Sequence, residues 1–179
     1  IVEKNIDEIL TDHAYCEQKA ASTAISLIVS FPEYPELIEE LIALSREEMG
    51  HFKMVHDLIL KRGSTLGRDR KDEYVIELLR FFPKGGSRTT QLVHRLLIAA
   101  LIEARSCERF RLLSEALEDK ELAAFYHRLM VSEAGHYTMF LKFARTYGGI
   151  EDVNKKWKAL LDYEADIMKN LGTQVSIHG

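Results

Sequence analysis

Proline is scarce in this chain: 3 of 179 residues, two of them within "SFPEYPE" at 30–36. Long stretches are therefore free of the residue that most strongly interrupts a helix. Cysteine is equally rare. Cys16 and Cys107 stand far apart and form no CxxC pair, which excludes a disulfide framework, a zinc ribbon and a rubredoxin-type iron site. A reducing cytoplasm is the expected compartment. No apolar run approaches the roughly 20 residues that cross a bilayer, and no signal peptide is visible. The chain starts at Ile1, inside an already periodic segment, so a natural start further upstream is expected. No stretch alternates apolar and polar residues as a half-buried strand does.

What is present is helical periodicity. The chain is 46% hydrophobic and 29% charged, the balance of an ordinary globular protein, and its length suits one domain over 1–179. The spacing predicts a first helix over about Lys4 to Val29, with Ile6, Leu10, Ala14, Glu17, Ala21, Ala24 and Ile28 on one stripe. Pro35 is placed to open a second, over about Glu36 to Lys61, through Leu41, Leu44, Glu48, His51, Val55 and Leu58. The connector "KRGSTLGRDRK" and a short helix over Asp72 to Phe82 follow. Ser87 is expected to cap a long helix near 88–117, with Gln91 close to the capping-box position. Its stripe is Leu92, Leu96, Ala99, Glu103, Cys107, Phe110 and Ser114. A further helix spans about Lys120 to Tyr147, through Leu122, Tyr126, Leu129, Glu133, His136, Phe140 and Phe143. It stops at Gly148-Gly149, and a last helix covers about Glu151 to Asn170, leaving 170–179 as a tail.

Charge is unevenly spread. The net is −4, yet Lys61 to Arg111 holds twelve Lys/Arg against six Asp/Glu. A basic segment of this kind suits either an anionic partner or a solvated surface that pairs with itself.

Two six-residue phrases stand out: "EEMGHF" at 47–52 and "SEAGHY" at 132–137. Each sets Glu three residues before His, on one helix face. Each is preceded by a Glu on an otherwise apolar stripe, 31 residues earlier in the first half (Glu17) and 30 earlier in the second (Glu103). A helix hairpin brings residues so spaced to one height. Two hairpins would then converge Glu17, Glu48, His51, Glu103, Glu133 and His136 at the centre of a bundle. That is the ligand pattern of di-iron and di-manganese carboxylate proteins. Four carboxylates in a low-dielectric core are prohibitive alone, whereas two divalent cations offset their desolvation. Hard oxygens with one imidazole per metal suit iron or manganese better than copper or structural zinc. A single Glu-x-x-His is usually a surface pair; two copies at matched spacing are not.

Around these six, His13 lies one turn before Glu17, as an outer partner or a satisfied core histidine. Cys107 reads as a small core filler, and Tyr126 and Tyr137 as packing residues. His56 and His94 face away from the ligand stripes and are expected in solvent. Asp12, Glu47 and Glu108 fall outside the first coordination sphere. The glycines of the two phrases, Gly50 and Gly135, each cost about 1 kcal/mol relative to Ala in a helix interior. The expected reason is close approach of a neighbouring helix or a substrate.

"ALIEARSCERF" at 100–110, "DHAYCEQKAAS" at 12–22 and the two phrases together resemble the tRNA 2-methylthio-N6-isopentenyladenosine hydroxylases of the MiaE type, with a fainter echo in "YEADIM" at 163–168. The resemblance implies an all-α, ferritin-like four-helix bundle with a short inserted helix and an additional C-terminal helix. It implies a non-haem di-iron monooxygenase that hydroxylates the prenyl side chain of a hypermodified adenosine beside the tRNA anticodon, with two iron ions on the same six residues. The implied partners are O2, a tRNA anticodon stem-loop and a ferredoxin-like electron donor, since the chain carries no rubredoxin, flavin or haem motif. Relatives carry a longer N-terminal segment, and a larger basic residue where Gly135 sits. Lys61, Arg62, Arg68, Arg70, Lys71, Lys84 and Arg88 then become candidates for gripping the RNA backbone. A monomer or small oligomer is expected. The rival reading is a ferritin- or rubrerythrin-like iron oxidase or peroxide scavenger; the missing CxxC weighs against the rubrerythrin form. A structural metal site is a third.

Overall fold

Helix boundaries fall where the chain breakers sit. The computed structural model describes residues 6–171, which form α1 (Ile6–Ser30), α2 (Pro35–Lys61), α3 (Glu73–Leu78), α4 (Arg88–Ala116), α5 (Lys120–Gly148) and α6 (Ile150–Leu171). There is no strand among the described residues, and no helix among them is long and apolar enough to cross a membrane. The expected start at Lys4 and the expected tail beyond Leu171 lie outside the described residues. Contacts group the chain into two compact units, 6–71 with Leu117–Lys120, and Asp72–Ala116 with 121–171.

In the first unit, Pro35 enters α2 at its first turn, where its missing N–H is no loss. The stripe Leu10, His13, Ala14, Glu17, Ala21, Ala24 and Leu27 of α1 is buried, as are Leu37, Leu41, Leu44, Glu48, His51, Val55 and Ile59 of α2. Leu27 and Ile59 take the places expected for Ile28 and Leu58. Over seven turns the 3.6-residue period drifts past a pattern extended by threes and fours.

The connector after α2 is strapped to α1. Arg62 Nε lies 2.7 Å and the Ser64 hydroxyl 2.6 Å from the two oxygens of Asp7. The Tyr15 hydroxyl donates to the Gly67 carbonyl at 2.9 Å, and Lys19 pairs with Asp69 at 2.7 Å. The Ser64 hydrogen bond, followed by the Arg62 bond, holds the Asp7 carboxyl below its ordinary range.

In the second unit, Asp72 caps α3 by accepting from the Val75 N–H at 3.0 Å. The helix ends at Leu78, not at Phe82. The N–H groups of Arg80 and Phe81 bond three residues back, to Glu77 and Leu78, a tightened last turn before Pro83, whose ring disfavours helix in the residue ahead of it. Ser87 caps α4 through the Thr90 N–H at 3.0 Å. The capping box does not form: Gln91 lies one position too late, and its amide donates to the Gly86 carbonyl at 3.0 Å. The α5–α6 corner needs both its glycines. Gly149 has φ +81°, and a Cβ on Gly148 would lie 2.9 Å from Val93 and 2.8 Å from Val153.

α6 is anchored by an ion pair. Arg105 of α4 sends Nε to Glu164 Oε1 at 2.5 Å and Nη2 to the other Glu164 oxygen, while Nη1 meets Glu108. Glu164 is 1% exposed, and the Tyr74 hydroxyl of α3 donates to it at 3.3 Å. Burial, with the negative charge of Glu164, pushes the Tyr74 phenol well above its usual pKa. The pair joins two stretches singled out in the sequence, "IEARSCERF" and "YEADIM".

Candidate metal centre

In the first unit, Glu17 comes from α1 and Glu48 with His51 from α2, with exposures of 3%, 0% and 6%. His51 Nδ1 lies 3.5 Å from Glu48 Oε2 and 3.6 Å from Glu17 Oε2. The three residues offer one ligand atom each, all within 4.8 Å of one another. His13 is fully buried, with Nε2 2.5 Å from Glu17 Oε1. That contact fixes where the carboxylate points.

The second unit repeats the arrangement. Glu103 of α4 and Glu133 and His136 of α5 are also buried, and their ligand atoms again lie within 4.8 Å. His136 Nδ1 is 3.8 Å from Glu133 Oε2. One turn before Glu103 stands Ala99, so the repeat breaks where His13 sits in the first half.

Each triad fits a hard divalent cation. Two carboxylates and one imidazole within a few ångströms form an oxygen-rich donor set suited to iron or manganese. Burying a carboxylate costs several kcal/mol unless the charge is balanced, and a cation in each triad would supply the balance.

Several neighbours differ from expectation. His94 is 9% exposed, not solvated: its ring stacks on Phe82 at 4.0 Å, and burial lowers its pKa. α4 is buried around most of its girth between Leu92 and Leu101, so facing away from the ligand stripe does not mean facing water. His56 is half-buried, its ring parallel to that of Phe52. Cys107 is half-buried too, with its thiol donating to the Met130 carbonyl at 3.4 Å; Ser106 takes the core position. Tyr126 is fully buried against Phe110 and Phe125.

Gly50 and Gly135 are exposed, and a Cβ on either would meet nothing within 4 Å. The expected close approach of a neighbouring helix is absent at both. Gly50→Ala and Gly135→Ala are therefore each expected to stabilise by about 0.5–1 kcal/mol. Thermal unfolding of the double variant should show a Tm higher by roughly 2–8 °C; an unchanged or lower Tm would mean that these sites are strained in a way their open surroundings conceal.

The seven candidate RNA-binding cations are all exposed. Lys61, Arg62, Arg68, Arg70 and Lys71 belong to the first unit and Lys84 and Arg88 to the second. Arg62 and Arg70 are engaged by Asp7 and Glu8, a pairing the sequence does not announce.

Comparison with known proteins places these features. The model of the family described as tRNA-(MS[2]IO[6]A)-hydroxylase (MiaE) matches residues 2–179. A tRNA 2-(methylsulfanyl)-N(6)-isopentenyladenosine(37) hydroxylase from Pseudomonas putida is 37% identical over 96% of this chain and 82% of its own length. A protein of the same name from Salmonella typhimurium is 27% identical over 98% of this chain and 81% of its own. The solved structure of protein 43 with aldehyde deformylating oxygenase activity, from Synechococcus, is 32% identical, with a TM-score of 0.91 over 99% of this chain and 89% of that one. The shared fold is all-α and ferritin-like.

Proposed function

This chain belongs to the MiaE family of tRNA hydroxylases, and we propose that it hydroxylates the isopentenyl side chain of 2-methylthio-N6-isopentenyladenosine beside the tRNA anticodon. The observation that carries the proposal is the repeated buried triad of two glutamates and a histidine. In this reading 1–179 acts as one ferritin-like domain, and Glu17, Glu48, His51, Glu103, Glu133 and His136 together hold two iron ions, manganese being the second choice. When bound, the iron pair would supply O2 activation, for insertion of one oxygen atom into an allylic C–H bond and release of the other as water, with two electrons from an external ferredoxin-like donor and two protons from solvent.

The chain's own residues bind and orient. The carboxylates balance metal charge in a site closed to bulk water, and His13 fixes the outer oxygen of Glu17. Removal of an outer partner of a metal ligand typically costs 10–100-fold in affinity. His13→Leu is accordingly expected to weaken iron binding by about 10-fold or more in a chelator competition; full retention would leave His13 a packing residue. Exposed cations of the connector serve the RNA backbone, Arg62 and Arg70 exchanging carboxylate for phosphate. Replacing Arg68, Arg70 and Lys71 together with Gln should raise the KM for tRNA and flatten its salt dependence. The enzyme works in the cytoplasm, as a monomer or small oligomer.

Family membership favours this reading over a ferritin- or rubrerythrin-like iron oxidase, and the oxygenase activity in the name of the Synechococcus relative is consistent with it. The test is nucleoside mass spectrometry after incubating iron-loaded protein with reductant, O2 and tRNA bearing the prenylated adenosine. One added oxygen on that nucleoside is expected. None, with both metals in place, would turn the assignment to the iron oxidase.

A further inference from the structure

The two phrases that supply the second triad spend only some of their letters on it. "IEARSCERF" gives Glu103 to the triad, while Ala104, Arg105 and Cys107 line a groove elsewhere in the second unit. "SEAGHY" gives Glu133 and His136 to the triad, and Tyr137 to the same groove. The groove has a volume of about 490 Å³, within the range of small-ligand sites.

Its composition is specific. Leu101, Ala104, Cys107 and Leu161 give it apolar or weakly polar surface, and Glu108 is its one carboxylate. One wall is aromatic: the rings of Tyr137 and Trp157 lie 6.0 Å apart, tilted by 40°. Arg105 also lines it, and its Nε, Nη1 and Nη2 are all engaged by Glu164 and Glu108. A guanidinium held this way is rigid and offers its flat face for stacking. Arg111, also in the lining, is exposed and pairs with Glu115, one turn on, a surface contact weak enough to yield to a phosphate.

Aromatic walls and guanidinium faces are what splayed nucleobases stack on, with a cation taking the adjoining phosphate. The groove also lies close to the second triad. The charge of Glu133, after burial itself, raises the pKa of the Cys107 thiol in its lining, and Tyr137 directly follows His136.

We propose that this groove, walled by Trp157 and Tyr137 and flanked by Arg105 and Arg111, receives an unstacked base of the RNA substrate. The base stacks on the aromatic wall, and its phosphate displaces Glu115 from Arg111. This rests on the tRNA-hydroxylase reading and gives it a binding subsite outside the metal centre. A protein partner would use the apolar surface without needing a guanidinium held rigid.

The test exploits a convenience of the sequence: Trp157 is the chain's one tryptophan. Titrating an anticodon stem-loop RNA into the metal-loaded protein should quench Trp157 fluorescence saturably, with free adenosine monophosphate far weaker. Tyr137→Leu and Trp157→Leu should each raise the Kd and KM for the RNA by about 5- to 100-fold, with kcat and iron content little changed; Trp157→Phe should retain most of the binding. Hydroxylation at wild-type KM in both Leu variants, with RNA leaving the fluorescence unmoved, would overturn the groove and leave the enzyme assignment standing. Quenching without hydroxylation would keep the groove and sink the assignment. Equal quenching by the free nucleotide would make the occupant a mononucleotide and overturn the RNA-base proposal.

Discussion

Glu48→Gln is expected to move two measurements in opposite directions. Glu48 is fully buried, with His51 Nδ1 3.5 Å from one of its oxygens. Glutamine keeps its volume and removes its charge. Without metal, loss of a buried negative charge beside Glu17 relieves both desolvation and like-charge repulsion. The apoprotein should therefore be more stable, by about 1 kcal/mol or more. With metal, a lost ligand costs more than the roughly 10–100-fold typical of an outer partner. Iron affinity and tRNA hydroxylation should each fall by more than about 100-fold. Chelator competition and thermal unfolding, run with and without iron, check both signs. A purely structural Glu48 would instead lower apoprotein stability and leave iron binding untouched.

The second large effect is on stability. Arg105→Met strands Glu164, which is 1% exposed, with the Tyr74 hydroxyl as its remaining partner in the network that joins α3, α4 and α6. Breaking one side of a buried ion pair costs about 3–5 kcal/mol, which for a chain of this size lowers Tm by roughly 6–20 °C. Arg105→Met combined with Glu164→Leu should recover most of the loss, because no charge is then left buried. If the double variant is no better than the single, the pair's contribution is packing and not charge. If the single variant melts within about 2 °C of the parent, Glu164 finds solvent despite its burial.

The buried glutamates of the two triads are legible in the sequence for a simple reason. A charged residue on an apolar helical stripe contradicts its surroundings, and Glu17, Glu48, Glu103 and Glu133 do so at matched spacing. All six proposed ligands are buried, and they group as the period says within each unit. Helix identities were equally legible, because proline and the Gly148-Gly149 pair punctuate them. What escaped was contact between residues far apart in sequence. Asp7 meets Arg62 and Arg105 meets Glu164, at separations of 55 and 59 residues, and no helical period encodes either. His94 is covered because α4 is packed on several sides, whereas a one-stripe reading takes the face opposite the ligand stripe to be wet. The close helix approach expected at Gly50 and Gly135 occurs at neither. Among the described glycines it is Gly148 whose neighbours' side chains come close enough to forbid a Cβ.

In the proposed function, the two phrases "EEMGHF" and "SEAGHY" serve one dinuclear site. Reconstituting the protein with isotopically enriched iron, then measuring iron content and the Mössbauer spectrum, tests this most directly. Two irons per chain are expected, appearing after oxidation as one spin-coupled ferric pair. A single iron per chain, or two ions that are magnetically isolated, would contradict it.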